Sequence, residues 1–223
     1  MMSRFFRCVV LSVSCFFTAG SAFAGLEWEA TSKKIEVHPL QASEIISYAF
    51  KNTGTNAVTI VSLKPSCSCI TGKLDKETYA SGESGTVEMT FDLQGREGAQ
   101  LKSLTVKTDE ASINPTKLYV STTIPTAYTI SSQRVIWNEE EARAAKSIRL
   151  TNTHKTPFPI EKAVPAKDGI TVEVKTIREG FEYDLIITPN ADLKGVTIPI
   201  IIYPATPKEL DAVRTYTIYA TVK

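Results

Sequence analysis

The chain has 223 residues, 43% of them hydrophobic and 22% charged, and its 25 Lys and Arg against 24 Asp and Glu leave a formal charge of +1. Charges of both signs are scattered rather than blocked, which excludes the basic footprint of a nucleic-acid binder, a polybasic membrane patch and an acidic tail. Four cysteines in this length exclude a disulfide-dense scaffold, so packed core must supply the stability.

The first 24 residues read as a secretory signal. Arg4 and Arg7 form a basic start, Cys8 to Phe17 an apolar middle, and Ala22-Phe23-Ala24 a small-x-small cleavage site. Ser12, Ser14, Thr18, Gly20 and Ser21 interrupt the apolar run, which falls short of the roughly 20 residues a spanning helix needs. The expected mature chain begins at Gly25, has no integral membrane segment and works outside the cytoplasm, in the periplasm or beyond. Losing the leader removes 24 of 223 residues, leaving 199, and two of the 25 basic residues, leaving 23 against 24 acidic. Cys8 and Cys15 leave with it, so Cys67 and Cys69 are the only thiols of the mature chain.

From there the signals are those of strands. Glu44 to Lys51, Val58 to Lys64, Thr86 to Leu93, Leu101 to Thr108 and Lys117 to Ile124 are runs rich in Val, Ile, Thr, Tyr and Phe. Asn52-Thr53-Gly54, Ser81 to Gly85 and Gly95 to Gly98 separate them with the residues that reversals require. In Thr86 to Phe91, Val87, Met89 and Phe91 share one face and Glu88 points off it, the pattern of a half-buried strand. A second series follows in Ser147 to Asn152, Gly169 to Thr176, Phe181 to Thr188, Val196 to Tyr203 and Thr215 to Val222. Asn52-Thr53 leading to Ile60 and Asn152-Thr153 leading to Ile160 stand in register, which reads as a tandem duplication. Pro125 closes the first copy, placing one unit at 25–125 and another at 126–223, joined by a short linker with little hinge freedom. Asn138 to Lys146 is the one helix-like stretch, with Asn138 and Glu141 spaced as in a capping box, and predicts one or two exposed turns. The fold class is all-β, two sandwiches in tandem after a cleaved leader.

Leu26-Glu27-Trp28-Glu29, Phe50 to Gly54, Ser66-Cys67-Ser68-Cys69, Ser81 to Gly85, and Phe91-Asp92 with Gly95-Arg96 resemble, in order and spacing, the secreted bacterial domain-of-unknown-function 1573 family. The resemblance covers about the first hundred mature residues. It implies a seven-stranded immunoglobulin-like sandwich akin to the major-sperm-protein and Hydin-type domains, and no established enzymatic activity. The chain departs from the family in having Ser68 where glycine usually separates the cysteines, and its second half keeps only the Asn-Thr signature.

Cys67 and Cys69 are the candidate chemistry. On a straight strand their side chains would stand about 7 Å apart, at a rise of about 3.3 Å per residue, whereas a disulfide needs β-carbons at about 3.8 Å. A local disulfide therefore requires a bend, which Pro65 makes plausible. The alternatives are a static clip, two buried thiols, a redox-labile bond and a metal site. Two thiolates and one further soft donor suit copper(I), and the candidate third donors are His38, His154 and Met89. His38 precedes Pro39 at a strand end, and His154 sits in the turn matching Gly54, where solvent exposure is expected.

Enzyme signatures are weak. Gly82-Glu83-Ser84-Gly85-Thr86 lacks the final glycine and the strand-turn-helix setting of a nucleophile elbow and reads as a turn. Scattered carboxylates give no acid-base pair, and the expectation is no catalysis and no cofactor. Trp28 and Trp137 stand at matching places near the start of each half and are expected in the core or at a sheet edge. The sequence thus predicts a non-catalytic exported binding or structural module, partnered by an envelope protein or a surface polymer, with thiol-redox or copper(I) handling at Cys67 and Cys69 as the alternative.

Overall fold

The computed structural model describes residues 25–110 and 114–223, so the expected leader at 1–24, with Cys8 and Cys15, lies outside the described residues. Strands follow in the order β1 (Leu26–Trp28), β2 (Ser32–Lys34), β3 (Ser43–Asn52), β4 (Val58–Pro65), β5 (Ile70–Leu74), β6 (Thr78–Tyr79), β7 (Ser84–Asp92), β8 (Gly98–Thr108) and β9 (Thr116–Ile124). The second series is β10 (Thr129–Ile130), β11 (Arg134–Trp137), β12 (Lys146–Thr151), β13 (Ile160–Pro165), β14 (Ile170–Arg178), β15 (Glu182–Pro189), β16 (Val196–Pro204) and β17 (Tyr216–Val222). Every expected strand is present, with ends that differ from the expected ones by up to three residues. The expected helical stretch is a single turn: Glu141 N–H donates to Asn138 O at 3.1 Å, and the Glu141 carboxylate accepts from Asn138 N–H at 3.1 Å. Only the Glu141 half of the capping box forms, because Glu141 N–H goes to the main-chain carbonyl of Asn138 rather than to its side chain, and no apolar face follows to sustain a helix.

Residues 26–124 build one sandwich, sheet β1-β3-β7-β5 against sheet β2-β9-β8-β4-β6; residues 129–222 build the other, β10-β12-β15-β14 against β11-β17-β16-β13. Period-2 alternation decides which residues face inward. Gly85, Val87, Met89 and Phe91 of β7 are buried while their neighbours are not, and β15 does the same with Tyr183, Leu185, Ile187 and Pro189. The first core gathers Tyr48, Phe50, Met89, Phe91, Leu104 and Leu118, and the second Trp137, Leu150, Leu185, Ile200 and Ile218. Gly85 is where Phe50 and Tyr79 meet edge to face, at 4.7 Å between centroids. A β-carbon there would overlap Cε1 of Tyr79 and stand 2.6 Å from Cζ of Phe50. Gly85→Ala is therefore expected to lower stability by about 1 to 3 kcal/mol through overpacking, measurable by urea unfolding.

Two asparagines organise the corresponding corners. Buried Asn52 donates through Nδ2 to Asn56 O at 2.8 Å and Tyr79 O at 2.9 Å and accepts at Oδ1 from Gly54 N–H at 3.0 Å. Buried Asn152 donates to Thr156 O and Gly180 O, both at 2.8 Å, and accepts from His154 N–H at 2.8 Å. Each corner is followed by a strand whose register slips once, between Ile60 and Ser62 in β4 and between Ile160 and Lys162 in β13. The tryptophans, by contrast, do not match. Trp28 lies on β1, antiparallel to β3, whereas Trp137 lies on β11, parallel to β17. By register the counterpart of Trp28, which pairs with Phe50, is Ile130, which pairs with Leu150. Trp28 stacks on Phe50 at 4.9 Å, Trp137 is fully buried, and its Nε1–H donates to Ala144 O at 2.8 Å.

Candidate functional site

The cysteines lie where the chain leaves β4 in one sheet and enters β5 in the other. Ser66 N–H donates to Ser103 O and Ser103 N–H to Ser66 Oγ, pinning the departure; Asp92 N–H donates to Cys69 O, pinning the arrival. The turn between them supplies the bend, with Cα atoms 5.2 Å apart, and Cys67 and Cys69 are joined as a disulfide. Cys69 is buried in the first core, Cys67 is half-buried against it, and Ser68 faces solvent. The closed loop is so short that ring-closure entropy gives only on the order of 1 to 2 kcal/mol. Cys67→Ser with Cys69→Ser should therefore cost about that much in thermal or urea unfolding, with the fold retained.

Of the three other donors named from the sequence, Met89 is buried in the same core as Cys69, while His38 and His154 meet elsewhere, their rings each 5.4 Å from Phe158. Among the described residues, no three His, Cys, Asp or Glu side chains gather to hold a metal ion. His154 is half-buried rather than exposed, because Nε2 contacts Thr126 O at 2.6 Å and the ring covers Phe158. His38 Nδ1 accepts from Leu40 N–H at 3.1 Å.

These two histidines mark the more substantial site, the joint between the sandwiches. Leu40 belongs to the 25–125 unit, yet it is fully buried in the second core. Gln41 bridges Val213 in antiparallel fashion, Arg214 N–H donates to Leu40 O at 2.7 Å and Ala42 N–H to Ala212 O at 3.3 Å. Arg214, only 2% exposed, spans three segments: Nε donates to Pro39 O at 3.0 Å, one terminal nitrogen to Arg96 O at 2.6 Å, and the other to Pro125 O at 2.9 Å and again to Pro39 O. A planar guanidinium with five donors suits such convergence, which an ammonium could not match. Sequence reasoning missed Arg214, an isolated basic residue in a loop with no periodic context.

Burial, with smaller contributions from His154 and Arg214 and opposed by Glu209, holds the His38 imidazole below its ordinary value. The unfolded chain therefore takes up this proton first as pH falls, so the stability His38 contributes is present above about pH 6.5 and is lost below it. Protonation also removes the acceptor for Leu40 N–H. The unfolding midpoint should fall between about pH 7 and pH 5, and the fall should be smaller in His38→Asn.

Two hollows flank the joint. One, of about 370 Å³, lies between Gln41 to Ile45 and Glu209 to Ala212. The larger, about 870 Å³, is walled by Gln94 to Glu97 of the first sandwich, Thr126 of the linker, and Tyr128, Ile130, Gln133 and Arg214 to Thr217 of the second. Gln94 Oε1 accepts from Thr215 N–H at 3.1 Å and Glu97 Oε2 from the Thr126 hydroxyl at 2.8 Å. The Tyr216 hydroxyl is buried with no hydrogen-bond partner among the described residues, and burial raises it to about 12.

The family model described as "Protein of unknown function (DUF1573)" matches residues 26–124. No curated protein matches the chain. Among solved structures, VesB protease of Vibrio cholerae is similar at 18% identity with a TM-score of 0.38, covering 44% of this chain and 31% of its own, so the chain spans about a third of that protein. A protein of unknown function from Porphyromonas gingivalis W83 is 14% identical over 88% of this chain and 99% of its own, TM-score 0.33, and the YadV chaperone is 12% identical over 87% and 98%, TM-score 0.36. Among the described residues no helix is long and apolar enough to cross a membrane.

Proposed function

We propose, on the match of residues 26–124 to the DUF1573 family model, that the chain is an exported, non-catalytic binding or structural module of the cell envelope. Its working unit is the pair of sandwiches held as one semi-rigid body. The observation that carries this reading is Arg214, buried at the joint on three main-chain carbonyls. Domains within a chain are ordinarily free to shift, so a joint that buries a guanidinium serves to fix two surfaces relative to each other. The partner is another envelope protein or a surface polymer, and the leader read at 1–24 supports export. The test is co-sedimentation of purified protein, starting at Gly25, with washed bacterial envelope fragments. Saturable retention is expected, weakened several-fold in Arg214→Met; no retention above background would sink the reading.

A second reading, thiol exchange or copper(I) handling, has one specific support: the disulfide of Cys67 and Cys69, whose first member is partly open to solvent. On reduction the pair would offer two adjacent soft donors. Intact-mass measurement after reduction and incubation with copper(I) decides it. A stoichiometric adduct absent from the double Cys-to-Ser variant supports the reading, and no adduct ends it.

A further inference from the structure

We propose that the larger hollow beside the joint is a docking site for an extended peptide, which pairs its main chain with the bare edge of β17 at Thr217. This rests on the binding-module reading and names its site and the chemistry of its partner.

The edge is bare because β11 is shorter than β17. Tyr219 N–H donates to Gln133 O at 2.9 Å, and the pairing starts at Arg134 opposite Tyr219. Peptide groups alternate direction along a strand, so those of Thr217 point the same way as those of Tyr219. They do so two residues beyond the start of β11, into the hollow that Thr217 lines. Across the hollow, Ser131 N–H donates to Arg149 O on β12, so the peptide groups of Ile130, one residue earlier, face away from β12 and off the sheet edge. Tyr216, whose hydroxyl is buried without a partner, lines the hollow between these walls. Unpaired main-chain groups at a sheet edge are the recognition surface for strand addition.

The other polar groups of the hollow argue for main chain rather than sugar. Glu97 is occupied by Thr126, and Gln94 Oε1 by Thr215. Arg96 donates to Gln94 O and Asp92 O at 2.6 and 3.2 Å. Tyr216 has Arg214 over its ring at 5.9 Å and Tyr128 edge-on at 5.3 Å, so it offers no open face for stacking a pyranose. What the two walls present is the outward N–H and C=O of Thr217 and of Ile130, beside the unpartnered Tyr216 hydroxyl, which an extended backbone complements.

The experiment pans displayed random nonapeptides on the immobilised protein from Gly25 onward and on two variants. Thr217→Pro deletes the outward N–H while leaving the ladder to β16, because proline is tolerated on a free edge. Tyr216→Phe removes the orphaned hydroxyl and should fold at least as stably. Enrichment of sequences alternating apolar and polar residues is expected on the wild type. The recovered peptides, synthesised with blocked ends, should bind Tyr216→Phe and Thr217→Pro about 5- to 10-fold more weakly, the weight of one or two hydrogen bonds. They should also slow hydrogen exchange at the Thr217 amide. No enrichment, equal binding to both variants, or an unprotected Thr217 amide would overturn the assignment, as would chitotetraose perturbing the Thr217 and Tyr216 resonances where the peptides do not. If the peptides fail while envelope co-sedimentation persists, only the hollow loses its role; if both fail, the module reading goes with it.

Discussion

Arg214→Met lowers the free energy of unfolding by about 3 to 5 kcal/mol and converts one unfolding transition into two. The guanidinium serves Pro39, Arg96 and Pro125 at once, so methionine leaves three carbonyls short of a donor in a site that is 2% exposed. Each such loss costs about 1 to 3 kcal/mol, less where water from the adjoining hollow can replace it. Each sandwich keeps its own core, so each can survive separation from the other. Calorimetry checks the number of transitions and small-angle scattering the loss of a fixed joint. Arg214→Lys should recover only part of the effect, because one ammonium cannot reach carbonyls on three segments. A change below about 1 kcal/mol with a single transition would mean that Leu40 and its pairing hold the joint without help.

Asn52→Asp and Asn152→Asp should each cost about 3 to 4 kcal/mol, more than the corresponding alanine variants. In each corner the amide nitrogen donates to two carbonyls at 2.8 to 2.9 Å. A carboxylate oxygen there sets acceptor against acceptor in a buried position, while its other oxygen can still accept from Gly54 or His154 N–H. Stability of the aspartate variants should partly recover in acid, where a protonated carboxyl donates once. Urea unfolding across pH measures this. The two sites should also show matching losses, since each performs the same three-bond task.

That symmetry is what the sequence made legible. Asn52-Thr53 and Asn152-Thr153, with alternating runs such as Val87-Glu88-Met89-Thr90-Phe91, carry period and spacing, and both are local properties of the chain. The all-β architecture and the limits of the long strands followed from them. The short strands β5 and β6 did not, because Gly72 and the turn residues around them dilute any pattern. The Trp28 and Trp137 comparison failed for a related reason: the stretch from 26 to 34 moves from one sheet to the other, and proximity to a copy's start does not tell which half of that crossing a residue occupies. At Cys67 and Cys69 the spacing allowed a bridge only if the chain bent, and the bend comes from contacts with Ser103 and Asp92 that are distant in sequence. The joint was invisible altogether. Nothing local marks Leu40 as a tenant of the other core, or Arg214 as the meeting point of three segments.

Leu40 also bears on biogenesis. A chain synthesised from its N-terminus completes residues 25–125 while the apolar pocket for Leu40 does not yet exist, and the carbonyls of Pro39, Arg96 and Pro125 wait for a guanidinium made 89 residues after the last of them, from 125 to 214. Until then the early half carries an adhesive spot that a holdase could shield, and any ribosomal stall or truncation before residue 214 would strand it in that state.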